Sequence, residues 1–290
     1  MLRILQTFLI LFFTVSVVLF CFSFREKSKA SDSQGPVIHM DRDRIEISVK
    51  DDVSAILNGI TASDSKDGDV SNTLVVESLS NFIEKGRRQA VIAAFDQDNH
   101  VTKMTRDVIY ADYRPPHFTL KEPLRFSVTG HESIIENLTA YDVLDGDITD
   151  RITLRQNDAD TIYTDLNPGN YPYMISVVNS AGDGVLLPVT VELYTPAQDN
   201  QCPKAVLSDY LIYIKTGTKF QPAKYISGIR FGGRTWPIDH LPEDAPYTEE
   251  DIHISNHADT NVPGTYEILY TMENETQDQS RIRLIVVVEE

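Results

Sequence analysis

The sequence predicts an all-β chain of three repeated units behind one apolar N-terminal helix, on the strength of three observations. Short runs of alternating apolar and polar residues recur along the chain, among them RIEISV, QAVIAAF, YPYMISVV and RIRLIVVV. That period of two belongs to half-buried strands, and no window beyond the first 30 residues sustains a period of 3.6. Three stretches of the chain align with one another, as suits a length of 290 residues, enough for two or three ordinary domains. Residues 4–24 carry no charge at all.

That uncharged run is 21 residues, about 31 Å of helix at ~1.5 Å per residue, enough to span a bilayer. It reads as an uncleaved membrane anchor, with residues 1–30 forming anchor and short linker. The competing reading is a signal peptide cleaved after SKA, before Ser31, followed by secretion, but the apolar run exceeds the ~7–15 residues usual for such a peptide. Cys21 in VLFC hints at a lipoprotein box, against which the bulky Phe20 argues. Arg25, Lys27 and Lys29 follow the run and by themselves favour the cytoplasmic side. Long downstream domains translocate regardless of such a bias, so the rest is expected outside the cell membrane.

The formal net charge is −17, of which residues 1–30 contribute +3 (Arg3, Arg25, Lys27 and Lys29 against Glu26), so the remainder carries −20. Such a surface repels nucleic acid and anionic headgroups and attracts divalent cations. The two cysteines are Cys21, inside the apolar run, and Cys202, so the exported part is expected to hold no internal disulfide and to depend on its cores.

The three units span residues 31–114, 115–197 and 198–290. Each begins at a proline, Pro36, Pro116 or Pro203, and ends in a strand pair whose first member follows Gly86, Gly169 or Gly264. Ten residues past each glycine stands Asp96, Asn179 or Asn274, in a polar turn where an Asx side chain folds back onto the backbone. The proline-led strand, the stretches GITASDSKDGDVS and AYDVLDGDIT, and NPGNYPYMISVVNSAG and VPGTYEILY resemble the tandem bacterial immunoglobulin-like domains of surface and secreted proteins. The likeness covers nearly all of residues 36–290 and implies β-sandwiches of about seven strands; periodicity alone allows any all-β class. The first unit has EKG where the family has Pro-Gly, and the third replaces Asp-Gly-Asp with SGIRFGGRTWPIDH.

Three readings fit the acidic motif, which gathers Asp64, Asp67 and Asp69 in TASDSKDGDVS and Asp142, Asp145 and Asp147 in TAYDVLDGDIT. Asp-Gly makes a tight turn whose flanking carboxylates accept free backbone N–H groups. Three carboxylates plus turn carbonyls also suit calcium, although the spacing differs from an EF-hand loop. General acid–base catalysis needs burial or neighbours that push two pKa values apart, which an open turn does not offer.

In the third unit Tyr225, Arg230, Phe231, Arg234 and Trp236, the sole tryptophan, surround a Gly-Gly pair. Aromatic and arginine side chains on a loop are typical anchors for a protein or sugar partner; the alternative is that Phe231 and Trp236 cap the core. His253 and His257 have the i, i+4 spacing of a helical zinc pair but lie in a strand pattern without a third ligand. Asn137 and Asn274 match the glycosylation sequon, which matters only in a cell that glycosylates. No nucleophile elbow, phosphate loop or dinucleotide fingerprint occurs. Neither a catalytic module nor a wall-sorting motif follows RIRLIVVVEE, which puts the third unit at the tip of a short stalk. The expectation is a non-enzymatic, membrane-anchored extracellular binding protein of the bacterial envelope, without cofactor unless calcium occupies the acidic turns. Recognition of carbohydrate or cell wall in support of a separate enzyme is the alternative.

Overall fold

In the computed structural model, which describes residues 2–30, 34–130, 134–156 and 167–290, the N-terminal run forms one helix, α1 (Leu2–Ala30). Its large apolar side chains stand exposed, from 42% at Val17 to 70% at Phe8. Among the described residues, however, no helix is long and apolar enough to cross a membrane. The helix expected at residues 4–24 is present. Ser31, the first residue after the alternative cleavage site, lies outside the described residues.

Past α1 the described residues form three successive sets of seven strands. The first set is β1 (Val37–Met40), β2 (Arg44–Ile47), β3 (Ile60–Asp64), β4 (Gly68–Asp69), β5 (Val75–Leu79), β6 (Arg87–Phe95) and β7 (Val101–Tyr110). The second is β8 (His117–Leu120), β9 (Arg125–Ser127), β10 (Leu138–Asp142), β11 (Gly146–Asp147), β12 (Thr153–Gln156), β13 (Gly169–Val178) and β14 (Gly184–Tyr194). The third is β15 (Lys204–Leu207), β16 (Leu211–Lys215), β17 (Ile226–Phe231), β18 (Arg234–Pro237), β19 (His253–Ser255), β20 (Gly264–Glu273) and β21 (Gln279–Glu289).

One topology recurs in all three. The small sheets run β1-β3-β4, β8-β10-β11 and β15-β17-β18, and the large ones β2-β7-β6-β5, β9-β14-β13-β12 and β16-β21-β20-β19. The chain thus starts each set in the small sheet and crosses to the large one, where β2, β9 and β16 pair in parallel with β7, β14 and β21. In the first set, inward residues of both sheets interdigitate: Ile38, Ile60 and Ala62 from the small sheet meet Ile45, Ile92 and Val108 from the large. This is a sandwich, and its alternation is the pattern seen in the sequence.

By its contacts the chain separates into two compact units, Met1–Asp112 and Tyr113–Glu290. The second unit holds the second and third sandwiches, whose buried residues form one continuous core from Phe118 to Val288. At their junction the Phe118 N–H donates to the Tyr213 hydroxyl (2.9 Å), and the His117 ring lies 4.3 Å from that of Tyr213, centroid to centroid. Burial pushes the Tyr213 phenol up to about 12, so it stays a neutral acceptor for Phe118.

Within the first unit the largest fully buried side chain is charged. Arg106 of β7 is 1% exposed, and its Nη1 donates to the carbonyls of Ile56 and Asn58, each at 2.7 Å, while Nη2 reaches Asp41 at 3.3 Å. It thereby pins the loop between β2 and β3 through two of its carbonyls. Replacing it with methionine, Arg106→Met, should destabilise the first unit by about 2–5 kcal/mol through orphaned carbonyls and a lost charge partner. Hydrogen exchange of the β6–β7 amides reads the loss; protection equal to wild type would contradict the assignment.

Candidate functional site

The acidic turns are closed by their own backbone. Asp64 Oδ1 accepts the N–H groups of Lys66 (2.8 Å) and Asp67 (2.9 Å); Asp142 Oδ1 accepts those of Leu144 (2.8 Å) and Asp145 (3.1 Å). Asp69 and Asp147 each accept the N–H two residues on, from Ser71 (2.9 Å) and Thr149 (3.0 Å). The middle aspartates reach the opposite hairpin: Asp67 accepts the Gln97 N–H (2.9 Å), and Asp145 accepts the N–H and hydroxyl of Ser180 (2.6 Å each) and pairs with Arg151. Gly68 and Gly146 sit at φ +77° and +75°, the left-handed region that lets the chain turn between these acceptors.

These bonds favour the ionised carboxylates. Backbone N–H groups of Asp67 and Lys66 hold the Asp64 carboxyl below its usual value, and the Ser71 and Thr149 side chains do the same for Asp69 and Asp147. Burial pushes Asp145 up, and Ser180 together with Arg151 brings it below. Among the described residues no three His, Cys, Asp or Glu side chains are grouped so as to hold a metal ion, and the Asp64 Oδ2 is buried without a hydrogen-bond partner. The hairpin residues behave alike: Asp96 accepts the His100 N–H, Asn179 those of Ala181 and Asp183, and Asn274 those of Thr276 and Asp278.

The aromatic–arginine group of the third sandwich divides between two faces of its small sheet. In the β17–β18 register Ile229 lies opposite Trp236 and Phe231 opposite Arg234, whereas Arg230 lies opposite Thr235. Side chains alternate along a strand, so the buried Ile229 marks the inner face as that of Phe231, Arg234 and Trp236. There the Arg234 guanidinium covers the half-buried Trp236 ring at 4.1 Å and Phe231 packs on Tyr247 (4.9 Å). Tyr225 belongs to a third place, against Phe220 (5.7 Å) and the core, with burial pushing its phenol up. Arg230, exposed on the outer face, donates to the Thr235 hydroxyl (3.1 Å).

That outer face walls a cleft of about 780 Å³ in the second unit. Lys204 and Val206 of β15 and Arg230 and Thr235 of β17–β18 line it from the third sandwich; Lys121, Glu122, Glu136 and Asn137 line it from the second. Tyr194, Asp199 and Asn200 lie at the end where the sandwiches join. The volume suits a small ligand.

An ion network fixes the floor. Arg125 of β9 and Glu192 of β14 are direct partners in the strand register, and Arg125 Nε and Nη2 donate to the Glu192 carboxylate at 3.0 and 3.2 Å. Arg125 Nη2 also meets Asp199 (2.9 Å), held by the short helix α2 (Pro196–Asp199), and Asp199 meets Lys204 (3.0 Å). Glu192 is shared with Arg283 of β21 (3.4 Å), which extends to Glu267 (3.3 Å). Burial lowers the Arg125 pKa, but the two carboxylates outweigh it and raise the net value, so the guanidinium stays charged. Its charge lies 5.0 Å over the Tyr194 ring. Cys202, next in the linker, is buried with its thiol pushed up, and is a free cysteine.

Of the five aromatic and arginine residues singled out in sequence, then, Arg230 alone lines the cleft among the described residues. Lys121, Glu122, Glu136, Tyr194 and Asn200 carried no local signal, and Asn137 only that of a sequon.

No protein-family model matches the chain, and no curated protein matches it. Solved structures similar to it include a CBM51-2 and INT-domain structure of Clostridium perfringens ZmpB with GlcNAc, at 17% identity over 52% of this chain and 26% of that one, TM-score 0.22. The protocadherin GammaB4 extracellular domain is 12% identical over 89% and 50%, with TM-score 0.22. The insect immune protein hemolin is 9% identical over 79% and 62%, with TM-score 0.20. The chain spans about a quarter of the first and half of the second. Similarity at these TM-scores supports no conclusion about this chain.

Since the carboxylates of both turns already hold backbone N–H groups, melting curves recorded with calcium and with a chelator at neutral pH should superimpose. A calcium-dependent rise of several degrees would instead make these turns ion sites. Lowered folded-state values also set the acid limit: the stability these aspartates add is present above the unfolded value of ~3.9 and is lost as pH falls through their folded values. The same melts should therefore decline below about pH 4.

Proposed function

We propose that the protein is a non-enzymatic, membrane-anchored binding protein of the bacterial envelope, with three immunoglobulin-like domains outside the membrane and its ligand site in the cleft of the second unit. The observation that carries this reading is a cleft whose two walls come from different sandwiches held together by one core and a closed ion network. A preformed site spends little of its binding energy on ordering. Among the described residues no histidine or cysteine lines the cleft, and the acids and bases of its floor are committed to each other, which favours binding over chemistry. Anchoring through residues 4–24 is supported by their lack of charge and by the exposed apolar side chains of α1. The charge of −20 over the exported part disfavours nucleic acid as a partner.

Labelled full-length protein, incubated with bacterial envelope preparations, should be retained, and the paired substitutions Lys121→Ala and Arg230→Ala should abolish most of that retention. Arg234→Ala, on the opposite face, should leave it unchanged. Retention insensitive to the cleft variants would refute the site.

A further inference from the structure

The cleft's lining narrows the class of ligand. Lys121, Arg230, Glu122 and Glu136 all line the cleft, and none of the four has an ion-pair partner among the described residues. Glu122, Arg230 and Tyr210 line the same cleft, so both signs of charge are present in it. A ligand of one charge would meet as much repulsion as attraction there.

Apolar ligands are disfavoured for a different reason. Of the apolar residues in the lining, Ala205, Leu207 and Ile282 are only 2–4% exposed, and the half-buried Val206 is outnumbered by polar and charged neighbours. What the walls do offer is neutral hydrogen bonding: the Asn137 and Asn200 amides make no side-chain hydrogen bond among the described residues, and Thr235 and Ser208 add hydroxyls. Each amide presents a donor and an acceptor side by side, a match for adjacent hydroxyl groups. Tyr194, held in place by the Arg125 guanidinium, supplies an aromatic ring of the kind on which the C–H face of a sugar stacks.

We propose that the cleft binds an uncharged oligosaccharide, an inference that rests on the binding reading above and specifies its ligand. Its volume, about 780 Å³, leaves room for more than one sugar ring.

The test uses the full chain in a zwitterionic, sugar-free detergent, titrated with neutral oligomers of N-acetylglucosamine and of glucose, a heparin fragment and a chitosan oligomer. Saturation-transfer NMR and calorimetry provide the readouts. A neutral oligomer should bind, Asn137→Ala and Arg230→Ala should each weaken it by about tenfold or more, and Arg234→Ala should bind as wild type, with all three variants melting like the parent. Neither charged oligomer should compete. Absence of binding by every neutral oligomer, or binding indifferent to Asn137→Ala and Arg230→Ala, would overturn the proposal. If envelope retention still depends on Lys121 and Arg230 in that case, the ligand class alone is wrong; if retention is also lost as a cleft property, the binding reading fails with it.

Discussion

Arg125 ties β9, β14 and the linker helix of the second unit together. It extends the β9–β14 pairing into a side-chain pair with Glu192, fastens the linker helix through Asp199, and through those two carboxylates reaches Lys204 and Arg283 of the third sandwich. Three cations, Arg125, Lys204 and Arg283, balance three anions, Glu192, Asp199 and Glu267. Each charge has given up much of its water, which is costly, and the loss is offset only while every partner is present. The linker cannot swing without stranding one of them. With a core continuous across the junction, this makes two sandwiches behave as one body and holds the cleft open between fixed walls.

Elsewhere the same physics works at shorter range. The aspartates of the two acidic turns and the Asx residues of the three hairpins accept backbone N–H groups that no strand partner satisfies. Through Asp67 and Asp145 each acidic turn is bonded to the hairpin of the facing sheet. The third sandwich manages without, using Gly232 and Gly233, both at positive φ, for a plain hairpin instead. The acidic turns thus fasten one sheet to the hairpin of the other.

Local features were the legible ones. Strand alternation, the glycine before each long strand, and the hairpin turns at Asp96, Asn179 and Asn274 depend on neighbours within ten residues, and the sequence displays those neighbours directly. The cleft depends on residues from 121 to 235, brought together by a crossover of each set's first strand and by a sandwich junction that no local pattern announces. Likewise Arg230 and Arg234 look like one patch until the β17–β18 register assigns them to opposite faces. The net charge of residues 31–290 also conceals a cleft lined by both signs. The joining of the second and third sandwiches into one unit was equally invisible, because the linker reads as a short polar spacer while its Asp199 is buried among cations.

The most direct measurement is hydrogen exchange of the full chain across a urea series, comparing the amides of β13–β14 with those of β20–β21. If Arg125 and the shared core make one body of residues 113–290, both strand pairs lose protection at the same urea concentration and with the same denaturant dependence. Separate openings, with one sandwich exchanging while the other stays protected, would contradict the account and dissolve the fixed cleft with it.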